Sequence, residues 1–190
     1  MLYGSQYEAG FSTRKQELEY QRALAEKLLQ WALLKEYGVS LSELRRERTS
    51  AGKPFFVDCP IHFSLSHCRG MVCCALSSDS VGVDVEQVRP VRPAIVRRVC
   101  TEEERLWLSV QRDQTDAFFS LWTLKESVMK LSGQGIRYGF QQASFTFKQD
   151  TPCFREPEVL LSQFALSGGW KVSAASRKER FTNICLIDLP

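Results

Sequence analysis

Two acidic stretches carry the residue types that can do chemistry. In Val81-Gly82-Val83-Asp84-Val85-Glu86, valines alternate with a glycine and two carboxylates. That alternation predicts a strand, whose period of two puts Gly82, Asp84 and Glu86 on one face and the valines on the other. Two acids then stand side by side. In Trp122-Thr123-Leu124-Lys125-Glu126-Ser127-Val128-Met129-Lys130 the pattern is helical, and Glu126 and Lys130 share a face one turn apart. From these four residues a metal site, an acid and a base can be assembled.

The rest of the chain limits what such a site can be. Its 190 residues, 44% of them hydrophobic, suffice for one medium core or two small packed subdomains without staples. A net charge of +3, from 25 basic and 22 acidic residues, is too balanced to point to nucleic acid. Seven cysteines, none spaced as Cys-x-x-Cys and with no secretory leader before them, predict reduced thiols in a cytoplasmic protein. Cys73 and Cys74, adjacent in a strand, face opposite ways and read as small apolar residues, not joint metal ligands. No apolar run reaches the length that spans a membrane.

Local signals place the elements that must position the four residues. Met1 to Phe11 has no clear assignment. Thr13 and Gln16 form a capping box ahead of a long amphipathic helix, with Leu18, Leu24, Ala25, Leu28, Leu29 and Ala32 at helical spacing and a stop at Gly38. Ser40 with Glu43 predicts a short helix through about Arg48. Gly52-Lys53-Pro54 predicts a fixed turn that aims the lysine. Ile61–His67 and Met71–Ser78 alternate as strands, and with the strand bearing Asp84 and Glu86 they predict a three-stranded meander. Arg89-Pro90-Val91-Arg92-Pro93 reads as a linker, so the expected domains are residues 1–88 and 89–190. Beyond it come a helix with Ile95, Val96 and Val99, a helix capped by Thr101 and Glu104, and the helix of Glu126, capped by Asp116 and ended by Gly133. Phe118, Phe119 and Trp122 are expected in its core contacts, and Glu102, Glu103 and Glu104 in a favourable first helical turn. Residues 144–148, 159–166, 170–175 and 181–187 read as strands.

In order and spacing, Gly52-Lys53-Pro54, Phe63-Ser64-Leu65-Ser66-His67, the Val81–Glu86 stretch and Trp122–Ser127 with Lys130 resemble the 4′-phosphopantetheinyl transferase family, in its larger two-subdomain class. The resemblance runs over roughly residues 14–140, and four ordered motifs are more specific than any one of them. It implies an α+β fold of two similar subdomains related by a pseudo-twofold axis. Each is an antiparallel sheet packed with helices, with the active site in the cleft between them, all supplied by a monomer. The N-terminus is shorter than is usual for the class, so substrate contacts or the first strand of the first half are expected to be missing.

The resemblance also implies a reaction, the Mg²⁺-dependent transfer of the phosphopantetheine arm of coenzyme A to a serine of an apo acyl- or peptidyl-carrier protein. Adenosine 3′,5′-bisphosphate leaves. Asp84, Glu86 and Glu126 would ligate Mg²⁺, or Mn²⁺ in its place. Glu126 would serve as base, and Lys130 would contact phosphate and protonate the leaving group. Ser66 and His67 match diphosphate or 3′-phosphate contacts, Lys53 and Arg22 match contacts to the nucleotide end, and Lys125 would help to hold phosphate. Arg89, Arg92, Arg97 and Arg98 would face an acidic carrier. The alternative is a non-catalytic module of the same fold that binds coenzyme A or a carrier protein. No nucleic-acid or membrane partner is expected.

Overall fold

The computed structural model describes residues 1–189. Its first element is a strand, β1 (Leu2–Gln6), in the stretch without a clear sequence signal, so the first strand expected to be missing is present. The first helix, α1 (Arg14–Tyr37), opens at Thr13 with the predicted capping box, and Gly38 closes it in the left-handed region at φ 67°. Leu28, Leu29 and Leu33 on its inner face are fully buried, each worth about 1.5–3 kcal/mol over an exposed position. Glu17 and Gln21 are buried on the same face toward the helix start.

Ser40 and Glu43 do form a capping box, but the turn it starts is only Leu41–Glu43. The chain then extends into β2 (Arg46–Arg48), where a helix is expected, and pairs antiparallel with β3 (Pro54–Phe56). Three longer strands follow: β4 (His62–Cys68), β5 (Met71–Ser77) and β6 (Val81–Gln87).

These three are not a meander. β4 pairs antiparallel with β5, but β6 joins a different sheet. The physical reason is visible in its valines. Val81, Val83 and Val85 are buried in one cluster with Met71, Cys73 and Ala75 of β5, a contact across two stacked sheets and not along one. Cys74, facing the other way, packs under α1, as the alternation of a strand requires.

The second half begins with α2 (Pro93–Val99) and α3 (Glu102–Ser109), the latter capped by Thr101 and Glu104 as expected. The long helix α4 (Gln114–Ser132) is capped by Asp113, not Asp116, because the Asp113 carboxylate accepts from the N–H groups of Thr115 and Asp116. It is followed by the hairpin β7 (Phe145–Lys148) and β8 (Thr151–Phe154). Then come β9 (Leu160–Leu166), β10 (Trp170–Ser176) and the two-residue β11 (Cys185–Leu186), shorter than the strand expected over 181–187.

The fold is α+β, and each of its two larger sheets is covered by one long helix. The first has the order β11-β1-β5-β4 and the second β6-β10-β9. The second is antiparallel throughout, whereas β1 and β11 in the first are parallel. Each sheet therefore borrows a strand from the other side of residue 88: β6 pairs with β10, and β11 pairs with β1. Among the described residues, no helix is long and apolar enough to cross a membrane.

Candidate active site

β4, β6 and α4 meet around an open hollow of about 390 Å³. Leu65, Ser66 and His67 line it from β4, Asp84 and Glu86 from β6, and Trp122, Glu126 and Lys130 from α4. One edge of β6 is bonded to β10. Toward β4, the Val83 and Val85 N–H groups donate to the hydroxyls of Ser64 and Ser66, 3.0 and 3.3 Å away. Two side chains thus stand in for a neighbouring strand and fix the height of Asp84. Ser64 has no role in the sequence reading, although its spacing of two from Ser66 is the signal for it.

The centre of the hollow is a closed network. Ser66 Oγ donates to Asp84 Oδ1 at 2.8 Å. Lys130 Nζ reaches Asp84 Oδ1 and Ser66 Oγ at 2.8 Å and the Val83 carbonyl at 2.9 Å, which uses all three of its donors. Asp84 Oδ2 is buried and has no partner. Glu86 binds Arg89 at 2.6 Å, and the Arg89 guanidinium lies 5.0 Å from the centre of the Phe119 ring. Burial pushes the Glu86 carboxyl up, against the pull of Arg89. Arg89 is thereby a neighbour of the site as well as a surface residue, and its spacing of three from Glu86 is the sequence signal.

Glu126 is the most perturbed acid in the hollow. Burial first, then the charges of Asp84 and Glu86, push it up to about 7, with Lys130 acting in the other direction. His67 is held below the usual imidazole range by burial, then by the charges of Lys130, Arg22 and Arg14. Arg22 is exposed, and with Arg14 and Lys130 it puts positive potential on the His67 side.

Lys53 sits at a second opening of about 260 Å³ that adjoins Lys130 and is lined also by Phe63 and Ser64. Its ammonium donates to the carbonyls of Val81 and Leu131, and burial lowers it to about 8. Trp122 is only half-buried and borders the hollow, while Phe118 and Phe119 are core residues as expected.

Lys125 requires a correction. It is fully buried, ion-paired to a fully buried Glu104 at 2.8 Å, and bonded to the Phe140 carbonyl. One residue along a helix is a turn of about 100°, which carries Lys125 into the core of the second half and away from the hollow. Glu104 is accordingly far more than a first-turn acid.

Among the described residues, no three His, Cys, Asp or Glu side chains are gathered closely enough to hold a metal ion. Asp84, Glu86 and Glu126 nevertheless line one hollow, and all offer oxygen, the ligand that hard divalent cations take. Asp84 Oδ2 is a buried acceptor without a hydrogen-bond partner. In kind, the donors fit Mg²⁺. Lys130 and Arg89 hold the balancing charge for Asp84 and Glu86 as folded.

The family model of the 4'-phosphopantetheinyl transferase superfamily matches residues 80–180, more than half of the 190-residue chain. A 4'-phosphopantetheinyl transferase of Aneurinibacillus migulanus, gsp, is 31% identical over 180 residues, covering 90% of this chain and 74% of its own. The chain belongs to that superfamily. The transferase Sfp of Bacillus subtilis (strain 168) is 32% identical over 130 residues, 67% of this chain and 58% of Sfp. A holo-[acyl-carrier-protein] synthase of Thermotoga maritima aligns at a TM-score of 0.44 and 20% identity over 50% of this chain and 61% of its own, too slight a likeness to carry an argument. The enzyme type is that of a 4′-phosphopantetheinyl transferase.

Proposed function

We propose that this transferase moves the phosphopantetheine arm of coenzyme A onto a serine hydroxyl of an apo acyl- or peptidyl-carrier protein and releases adenosine 3′,5′-bisphosphate. The observation that carries the reading is the hollow itself: three carboxylates, one with an orphaned buried oxygen, face a lysine across the line where β4, β6 and α4 meet. Asp84, Glu86 and Glu126 would hold Mg²⁺, or Mn²⁺. When bound, the ion supplies positive charge to the coenzyme A diphosphate.

The chain's own groups account for the protons. Glu126, with its affinity for a proton raised by burial, accepts the one from the serine hydroxyl as the oxygen attacks the phosphorus that bears the pantetheine arm. The bond from that phosphorus to the bridging oxygen breaks, and the oxygen leaves with the nucleotide. Lys130 is the lysine that lines the hollow, and turning one of its donors from Ser66 or Asp84 to a phosphate oxygen would let it bind the diphosphate and protonate the leaving group. His67, Arg22 and Ser66 make the flank that suits the nucleotide phosphates, and the Lys53 opening suits the nucleotide end. One chain supplies every side of the hollow, which supports a monomer, and the free thiols support a cytoplasmic setting.

For the carrier, Arg89, Arg92, Arg97 and Arg98 form an exposed basic stretch leading away from Glu86. Reversing Arg97 and Arg98 to glutamate is expected to raise the carrier KM about three- to tenfold at low salt, with the difference shrinking as salt screens it. The coenzyme A KM serves as the control. Unchanged carrier kinetics would remove these arginines from docking.

Intact mass spectrometry of a panel of apo carriers, incubated with the protein, coenzyme A and Mg²⁺, tests the reaction. The expected result is a gain of one phosphopantetheine arm that a chelator abolishes. Coenzyme A binding with no gain on any carrier would instead support a non-catalytic binding module.

A further inference from the structure

The sequence motif that supplies Glu126 and Lys130 also holds a lysine that the hollow does not use. Lys125 Nζ lies 2.8 Å from Glu104 Oε1, and both side chains are fully buried. Glu104 is itself fixed from two further directions: Oε2 accepts from the Thr101 N–H at 2.7 Å and Oε1 from the Phe145 N–H at 2.9 Å. Lys125 also donates to the Phe140 carbonyl at 2.8 Å. Three segments, the cap of α3, the middle of α4 and β7, are thus tied to one carboxylate, and the turn before β7 is tied to its lysine.

A buried ion pair is a poor source of stability, since well-packed apolar residues of similar volume do as well or better. Its best-attested use is to fix register. Around this pair α4 makes apolar contacts through Leu121, Leu124 and Val128 and uncharged polar ones at Thr123 Oγ1, 2.7 Å from Ser173 Oγ, and at the Ser120 carbonyl, which accepts from Gln163 at 2.8 Å; apolar cores tolerate small slides and repacking. A charged contact to an anchored carboxylate does not. Because Lys125 and Glu126 are consecutive, holding the first sets the direction of the second, and Lys130, one turn on, follows.

We propose that the Glu104–Lys125 pair is the positioning device that sets the rotation of α4 and so places the Glu126 carboxylate and Lys130 ammonium against Asp84. The inference rests on the transferase reading above. Neither residue touches substrate; both act through Glu126 and Lys130.

Removing one partner alone leaves a buried charge and is expected to unfold the protein. The test therefore uses Glu104→Gln with Lys125→Met, which keeps volume and one acceptor, and separately Glu104→Asp, which keeps both charges but draws the anchor back by one methylene. Thermal melting, kcat, the KM values for coenzyme A and carrier, and Mn²⁺ affinity by calorimetry are measured for both beside the parent. The expected result is folded protein whose kcat falls about ten- to a hundredfold, the scale of a misplacement near 1 Å. Both KM values should stay within about threefold of the parent, and Mn²⁺ should bind at least about threefold more weakly as Glu126 turns away. A merely structural pair would leave kcat and Mn²⁺ affinity untouched in any variant that folds, and that result in either variant overturns the proposal. If the double variant does not fold, Glu104→Asp decides. A parent that loads no carrier removes the transferase reading itself; a parent that loads normally beside unaffected variants removes only the positioning role.

Discussion

Glu126→Gln is expected to abolish transfer while making the metal-free protein more stable above pH 7. The two effects have one cause. Burial and the charges of Asp84 and Glu86 raise the Glu126 carboxyl from its ordinary 4.5 to about 7, so the folded chain holds this proton more tightly than the unfolded chain does. Between about 4.5 and 7 the folded state binds more protons, and linkage then requires stability to fall as pH rises through that window. Above 7 the full cost is present, on the order of 3 kcal/mol for a rise from 4.5 to about 7. Glutamine carries no charge and escapes it. Denaturant melts of parent and variant with a chelator present should therefore agree near pH 4.5 and separate in favour of the variant by pH 8. The carrier assay should show loss of turnover of about a hundredfold or more, the range of general-base contributions. A variant with near-normal turnover would take Glu126 out of the mechanism, and melts that remain parallel at all pH values would show that the carboxylate is not strained.

Local signals were enough wherever an element is decided locally. The capping boxes at Thr13 and Thr101 and the left-handed glycines at Gly38 and Gly133 mark α1, α3 and the end of α4, because each is settled by hydrogen bonds within a few residues. The partner of β6 was not legible. Alternation shows that Val81, Val83 and Val85 need a buried face, yet an adjacent strand and a stacked sheet both satisfy that need, and only the chain returning as β10, about ninety residues on, chooses between them. β1 and β11 were obscure for the same reason. Leu2–Gln6 is short and lacks alternation, and it becomes a strand by pairing with β5 and the far end of the chain.

The same division runs through the site. The facing of Asp84 and Glu86 follows from strand period alone, and that of Glu126 with Lys130 from helix period. Lys125 was misread because its motif company outweighed its phase. At about 100° from Glu126 and flanked by buried Leu124 and Val128, it already stood on the core side of the helix. What no local pattern contains is Glu104, twenty-one positions earlier, whose buried carboxylate explains how a lysine can sit at zero exposure.

Gly82→Ala tests the contact on which the site's geometry depends. Gly82 shares a face of β6 with Asp84, and α4 crosses directly over it. A Cβ built there would stand 2.0 Å from the Ser127 carbonyl oxygen and 2.5 Å from the Leu131 nitrogen. Both are backbone atoms of the helix, so no rotamer change relieves the clash. Its φ is not in the positive range, and it is space and not backbone freedom that demands glycine. Alanine must push α4 off β6. That opens packing worth about 1–3 kcal/mol, or roughly 3–10 °C in Tm for a chain of this size. It also moves the helix that carries Glu126 and Lys130 relative to Asp84, whose bond to Lys130 is 2.8 Å long. Displacement of catalytic groups by about 1 Å costs on the order of a hundredfold in rate, so activity should fall far more steeply than stability. Melting curves and carrier loading on the same preparation separate the two. A parental Tm with parental turnover would mean that α4 does not press on β6 as described; a lowered Tm with unchanged turnover would mean that the pocket tolerates movement of the helix.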